Sequence, residues 1–309
     1  MKNYFGIESM NPWQSAVLRI FLYLFGTLVS FFPRKFELWF GKKIGFVLFF
    51  FNERKKIALE NIQRCLPELK EVGWKNLLRK NYEHYGVLVL ELLHLFSPLP
   101  MHFYRYCKKN TVVEGVENYH CAHQKGKGVL CVASHLGNWE LMTGGGAMVG
   151  IPVTIVTKHL KPDWLHKKIE SSRAQTGIKG AYEPRPLPAI LRALRKKETV
   201  GFVLDQYAGA PIGIPINFFG YKVGTLTAVG SIAKRTGASV LPACVHRDSC
   251  GIVHICFEPE LDLKELLEDE ENTTQILAHK IETWIRKHPE QWLWIHRRFK
   301  KVHGGVFSY

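Results

Sequence analysis

The chain is short of several patterns that would fix its chemistry at sight. Its seven cysteines, at 65, 107, 121, 131, 244, 250 and 256, contain no C-x-x-C pair. Their odd number, and the place of Cys131 inside an apolar run, argue against a disulfide framework and fit a reducing compartment. There is no G-x-x-x-x-G-K-[ST] loop, so ATP chemistry is unsupported, and no H-E-x-x-H. The His159/His166 pair has no carboxylate pattern beside it, so no metal site is expected. No G-x-S-x-G elbow is present, which disfavours a covalent serine mechanism. No internal repeat or low-complexity linker interrupts the chain. Acidic residues are scarce: 27 Asp+Glu stand against 42 Lys+Arg, a net charge of +15. That excess suits an anionic partner, whether nucleic acid, a membrane surface or an acidic protein.

What is present begins with an apolar N-terminus. Residues 15–32, "SAVLRIFLYLFGTLVSFF", are interrupted only by Arg19. That is marginal but sufficient for a membrane-spanning helix, which needs ~17–25 residues. With no A-x-A-like cleavage site, the stretch reads as a retained anchor. A second piece, "IGFVLFFF" (44–51), is too short to span and reads as interfacial. Arg34, Lys35, Lys42, Lys43, Arg54, Lys55 and Lys56 cluster behind the anchor and place the rest of the chain on the cytoplasmic side. The expected organisation is an anchor and interfacial segment over residues 1–51 and a single catalytic-sized domain over 52–309. A buried helix of a soluble domain is the alternative for 15–32.

Residues 53–96 carry a helical period that "FSPLP" (96–100) breaks. Beyond residue 110, short β-branched runs alternate with helical segments: "GVLCVA" (128–133), "VTIVT" (153–157), "VGFVL" (200–204), "VLPACV" (240–245) and "IVHICF" (252–257). The alternation predicts an α/β domain with a mostly parallel central sheet flanked by helices. A last helix is expected to start near Asn272, with Gln275 completing a capping box. In such sheets ligands collect beyond the carboxyl ends of the strands. His135, Lys158 with His159, and Asp205 with Gln206 all follow strand runs, and converge if those strands are neighbours.

"SHLGNWE" (134–140) sets a histidine and a glutamate on either side of a Gly137-Asn138 turn. His135 can act as a general base with Glu140 as its orienting carboxylate. Equally, it can be a strand-end histidine bonded to backbone, with Glu140 supporting a helix N-terminus. Spacing leaves both open. Arg173 continues the Leu165/Ile169 stripe and so needs an anionic or carbonyl partner, either a structural ion pair or a bound phosphate or thioester oxygen. "GGG" (144–146) looks like close helix packing. "NFFG" (217–220) supplies Phe218 and Phe219 as either an acyl-chain wall or ordinary core. "HPEQWLWIHRRFKK" (288–301) interleaves aromatic and basic residues, which suits nucleic acid, lipid headgroups with an acidic carrier, or a plain amphipathic face.

Taken in series, these blocks resemble a known family. "SHLGNWE" is similar to the H-x4-[DE] motif of glycerolipid-type acyltransferases. "RKKIALENIQRCLPEL" (54–69), "VGFVLDQ" with "NFFG", "TGASVLPA" (236–243) and "PEQWLWIHRRFK" (289–300) resemble, in order, the late acyltransferases of lipid A biosynthesis, the lauroyl/myristoyl transferases. The likeness covers roughly residues 14–300. It implies His135 as catalytic base and Glu140 as its paired acid. Arg173, Asp205, Gln206 and Asn138 would serve as substrate-binding or oxyanion residues, and no metal or cofactor would be required. It further implies acyl-acyl carrier protein as donor, a hydroxyl of a lipid A precursor as acceptor, and a bacterial inner-membrane location with the site facing the cytoplasm. "YAGAPIGIPINFFG", after Gln206, departs from the family's usual run, and the F-P-E-G-T-R-like motif of glycerol-phosphate acyltransferases is absent. The same motifs fit an acyltransferase acting on another glycolipid, such as a phosphatidylinositol mannoside. A non-catalytic, basic membrane-surface or nucleic-acid-binding protein is the alternative of another class. It leaves the His135/Glu140 placement and the anchor unexplained, and nucleic acid is not expected as a partner.

Overall fold

The protein is described from a computed structural model, which covers residues 10–51, 54–262, 269–300 and 302. The ends of the two expected segments, 1–9 and 303–309, lie outside the described residues.

Asn11 caps the first helix, α1 (Pro12–Val29), with a reciprocal bond to Gln14. The interfacial piece expected at 44–51 is the second half of a full helix, α2 (Arg34–Phe51). It packs on a long helix, α4 (Lys70–Leu93), reached through α3 (Lys55–Cys65), so the helical stretch expected over 53–96 is divided at Cys65-Leu66-Pro67. The α2–α4 crossing is made from glycines. A Cβ on Gly86 would strike Gly41 and Gly45, and one on Gly45 would strike the Tyr82 carbonyl. Backbone approach this close needs small residues at four-residue spacing.

The catalytic-sized unit then alternates: α5 (His102–Asn110), β1 (Thr111–Glu114), α6 (Val116–Gln124), β2 (Val129–Ala133), α7 (Trp139–Met148), β3 (Val153–Lys158), α8 (Asp163–Ala174), β4 (Lys179–Glu183), α9 (Leu187–Arg195) and β5 (Thr199–Val203). A hairpin of β6 (Gly213–Phe218) and β7 (Tyr221–Leu226) precedes α10 (Ala228–Thr236), β8 (Ser239–Arg247), β9 (Val253–Phe257) and α11 (Glu270–Lys287). The main sheet has the order β1-β9-β8-β2-β5-β3-β4, parallel at every pairing but β8–β9. Every residue of β2 is buried, as a central strand covered by helices on both faces must be. The mostly parallel α/β architecture read from the sequence is therefore present.

Three details differ. The strands β1 and β4 were too short and polar to stand out. The β6–β7 hairpin was missed, although "NFFG" is its turn: Phe219 (φ 50°) and Gly220 (φ 81°) are both left-handed, the combination a tight two-residue hairpin loop demands. Finally, α11 is capped by Asp269, which accepts from the Asn272 amide, while Gln275 bonds the Asn217 backbone instead of closing a capping box. The "GGG" reading holds. A Cβ on Gly144 would lie 2.7 Å from Cys107 Sγ, and one on Gly145 would strike Ile255.

Candidate active site

Parallel pairing builds the site. In the β2–β5 register Ala133 lies opposite Val203, so His135 and Asp205, each two residues further on, emerge side by side at the carboxyl edge. The Leu204 amide extends the ladder to the Ala133 carbonyl. Asp205 grips the histidine twice. Its Oδ2 accepts from the His135 backbone amide at 2.8 Å, and its Oδ1 lies 2.7 Å from His135 Nδ1. The carboxylate places the imidazole proton on Nδ1 and leaves Nε2 as the free base. Gln206 Nε2 stands 3.3 Å from that nitrogen, and the Trp139 ring meets the imidazole edge-on at 5.1 Å. The His135 side chain keeps 18% of its surface open, against 2% for Asp205. Burial raises the Asp205 pKa, but the neighbouring His135 and the hydrogen bonds from His135 and Trp292 outweigh it, leaving the carboxyl at about 2.

Glu140 does not orient His135. It sits in the first turn of α7 and forms a fork with Arg173 of α8, Nε to Oε2 at 3.0 Å and Nη2 to Oε1 at 2.6 Å, while Arg173 Nη1 reaches Glu170 at 3.0 Å. Burial works against the guanidinium charge, but Glu140 and Glu170 hold its pKa above the ordinary value. Of the two readings of Arg173, the structural ion pair is the one observed. Its bidentate geometry engages the carboxylate rather than facing open space. The correction has a simple origin. The turn does fold the chain back, with Gly137 at φ 59° and no room for a Cβ beside the Val245 carbonyl, but it starts a helix whose second residue faces α8. The histidine's carboxylate comes from β5 instead.

Asn138 is also not open to a substrate. It is buried and caps α7, its Oδ1 accepting from the Glu140 and Leu141 amides, both at 3.0 Å. Its Nδ2 donates to Glu91 Oε2 at 2.8 Å. Glu91, on α4, also receives Arg34 of α2 (2.6 Å) and Arg247 of β8 (2.8 Å to Oε1). Burial raises the Glu91 pKa, yet Arg247 and Arg34 bring it down to about 2. Phe218 and Phe219 are hairpin-turn core rather than an acyl wall. Phe218 is completely buried, 5.9 Å from the Trp292 ring, and Phe219 lies beneath Arg286 at 4.7 Å. Lys158 pairs loosely with Glu183, and the His159 ring lies tilted against His166 at 3.9 Å, so neither joins the dyad. Among the described residues, no cluster of three His, Cys, Asp or Glu is placed to hold a metal.

Comparison with known proteins decides the family. The profile for bacterial lipid A biosynthesis acyltransferases matches residues 12–301. The chain belongs to that family. The lipid A biosynthesis lauroyltransferase of Escherichia coli (strain K12) is 27% identical over 267 residues, covering 84% of this chain and 83% of that one. The palmitoleoyltransferase of the same organism is 27% identical over 271 residues, with the same coverage. A phosphatidylinositol mannoside acyltransferase of Mycobacterium tuberculosis (strain CDC 1551 / Oshkosh) is 24% identical over 221 residues, covering 70% of this chain and 68% of that one. Among solved structures, the 1-acyl-sn-glycerophosphate acyltransferase of Thermotoga maritima aligns with a TM-score of 0.40 at 14% identity, covering 81% of this chain and 99% of that one.

The acyltransferase also explains its own closing motif. "PEQWLWIHRRFK" is not a surface face: Trp292, Trp294, Arg298 and Phe299 are buried. Trp292 Nε1 donates to Asp205 Oδ2 at 2.6 Å, and Leu136 bridges to Trp292 through backbone. Gln291 exchanges hydrogen bonds with the Arg247 backbone and accepts the Gly137 amide at 3.1 Å. Arg298 holds the Gln206 carbonyl (2.8 Å), the Gly224 carbonyl (2.9 Å) and Thr225 Oγ1 (2.6 Å), with its pKa lowered to about 10 by burial. Asn81 and Tyr85 bond the Trp292 carbonyl, and Asn61 bonds those of Trp294 and His296. Residues of α3 and α4 thus hold the closing motif in place. Sequence reasoning missed Trp292, Arg298 and Glu91 as parts of the site's frame. Only Glu91, a lone acid in the apolar "VLVLELLHLF", carried a visible signal.

Proposed function

We propose that the acyltransferase moves a fatty acyl chain from acyl-acyl carrier protein to a hydroxyl of a lipid A precursor, at the cytoplasmic surface of a bacterial inner membrane. The carrying observation is the His135–Asp205 pair at the open sheet edge, with Nε2 left unprotonated and met by Gln206 Nε2 at 3.3 Å, and with the neighbouring Ser134 and Cys131 shut away from it. Ser134 is buried, and Cys131 lies within β2 with its thiol pKa pushed up to about 12 by burial. His135 Nε2 removes the proton from the acceptor hydroxyl as that oxygen attacks the thioester carbonyl. The tetrahedral intermediate collapses with loss of the thiolate, which takes the proton back from the imidazolium. Ester and thiol are the products, and the protein is unchanged. Asp205 holds the tautomer and stabilises the imidazolium. With Arg173 committed to Glu140, Gln206 Nε2 is the donor nearest the reacting atoms and serves the developing oxyanion.

The lipid A reading of the acceptor rests on the family match and on the two Escherichia coli relatives. The acidic carrier as donor is supported by the net charge of +15. The mannoside acyltransferase relative favours a second acceptor class, a phosphatidylinositol mannoside, over a shorter stretch of chain. Mass spectrometry of lipids from cells with the wild-type protein, with His135→Ala, and without the protein separates these. The expected result is one acyl chain lost from lipid A in the last two strains. Loss from a different glycolipid moves the acceptor, and unchanged lipids with His135→Ala remove the base. Purified protein should accept acyl-acyl carrier protein far better than the acyl-coenzyme A.

A further inference from the structure

A cavity of about 230 Å³ opens where the α1–α2 corner meets α5, and the acyl-transfer chemistry makes no use of it. That is less than the roughly 300–1,000 Å³ of a pocket for a whole small molecule, and room for a single headgroup. His94, Glu37 and Tyr106 form its buried floor, and Arg105 and Lys109 stand exposed at its mouth.

The acid in the floor is already balanced. Glu37 accepts from Arg34 Nη1 at 2.9 Å and from the Tyr106 hydroxyl at 2.7 Å. Glu91, next along, holds Arg34 and Arg247. Two guanidiniums thus meet two carboxylates, which leaves no surplus negative charge for a cation, and the described residues offer no metal cluster here. Arg105 and Lys109 differ. Neither has a carboxylate within ion-pair distance among the described residues. With His102 they fall at i, i+3 and i+7, a single stripe of α5 that lines the cavity. Lys168, bonded to the Ser97 carbonyl at 2.8 Å, adds positive charge near His102.

The imidazoles indicate which anion fits. With Glu37 as its partner at 3.2 Å, His94 carries its proton on Nε2, so its Nδ1 accepts. His102 Nε2 lies 2.7 Å from that nitrogen and donates to it. His102 is left with Nδ1 as an acceptor that has no protein partner among the described residues. Burial, His94 and Arg105 push its pKa down to about 4, so the ring is neutral. A neutral acceptor set between cations suits an anion that still bears a proton. A carboxylate bears none near neutral pH. A phosphate monoester, with a second pKa of about 6, can give one O–H to Nδ1 while its other oxygens meet Arg105 and Lys109.

We propose that this cavity is a binding site for a phosphate monoester group, distinct from the His135 edge. The link between the two runs through Arg34, Glu91 and Asn138. A lipid headgroup and free inorganic phosphate share this chemistry, and the site is independent of the donor and acceptor assigned to acyl transfer.

The test uses the full chain in detergent and reads binding without turnover, so its outcome is separate from that of the acyl-transfer reading. Fluorescent phosphatidate in mixed micelles is titrated with protein and followed by anisotropy, against diacylglycerol with the same chains and label. Phosphatidate should bind at least about tenfold tighter, and Arg105→Gln/Lys109→Gln should erase that difference. Lys196→Gln/Lys197→Gln removes two exposed cations outside the cavity and should preserve it. Bound phosphate should also raise the His102 pKa, read by histidine-selective NMR with His102→Gln identifying the signal. A phosphatidate preference that millimolar inorganic phosphate does not displace assigns the cavity to a lipid headgroup. A His102 response to inorganic phosphate without that preference assigns it to the free ion. Neither response, or an equal loss in the two double variants, overturns the site.

Discussion

Asp205 and Glu140 are both buried carboxylates within reach of the motif, and substitution separates their roles. Asp205→Asn keeps the volume but removes the charge that fixes the His135 tautomer, so kcat should fall by about 10²–10⁴-fold with KM little changed. Glu140→Ala should lose activity by a different route. It removes the bidentate partner of the buried Arg173 and leaves Glu170 alone to offset that charge, a loss on the order of 2–3 kcal/mol that thermal unfolding will show. Adding Arg173→Met should return much of that stability, since replacing the whole pair with apolar groups is far cheaper than breaking it. Stable but inactive Glu140→Gln protein with normal unfolding would instead return Glu140 to the chemistry. The pH dependence follows from the same residues. Asp205 and Glu91, both near 2 when folded, titrate at ordinary carboxylate values when unfolded. Their depressed values mean the unfolded chain binds protons first as pH falls. Their stabilisation is therefore complete above about pH 4.5 and is lost between there and about pH 2. Asp205→Asn should flatten that part of the acid-unfolding curve, read by circular dichroism.

At the level of elements, the site depends on pieces far apart in sequence being held in register. The β2–β5 pairing sets His135 against Asp205, and the closing motif locks the far oxygen of that carboxylate through Trp292. Trp292→Phe keeps the ring and deletes the donor. Asp205 Oδ2 keeps the His135 amide but loses the indole donor, so the change should cost about 1–2 kcal/mol, a charge-assisted hydrogen bond, and reduce kcat more than it raises KM. The α2–α4 contact fails differently. Gly86→Ala drives a methyl into the Gly41 and Gly45 backbone, and should lower stability by about 1–3 kcal/mol in a melting experiment, because helix backbones cannot give as a side-chain tip can. That loss would also disturb Arg34, which α2 delivers to Glu91 and so to the Asn138 cap. The helices that face outward and the loop that carries the histidine are thus tied through one buried acid.

For the whole molecule, +15 of net charge over a surface scarce in acids should make association with an acidic carrier protein or anionic vesicles weaken steeply with salt, which a titration at rising ionic strength will measure. Much of this was legible in the chain. Alternating apolar runs determined a parallel α/β sheet, because a buried strand and an amphipathic helix each leave a local period. The strand-end rule placed His135 and Asp205–Gln206 on one edge, and the five blocks in series carried the family. Pairing was not legible. The four residues between His135 and Glu140 leave a dyad open, but the partner of each side chain is settled by β5 and α8, whose positions depend on the sheet order. "PEQWLWIHRRFK" reads as a surface because composition records polarity and not burial. Arg298 is buried because carbonyls of other elements meet it there. The length of α1 is compatible with a span, while its contacts with Trp164 and the Phe96 backbone appear only in the tertiary structure. Local periods fix what an element is, while its partners are decided where the chain returns on itself.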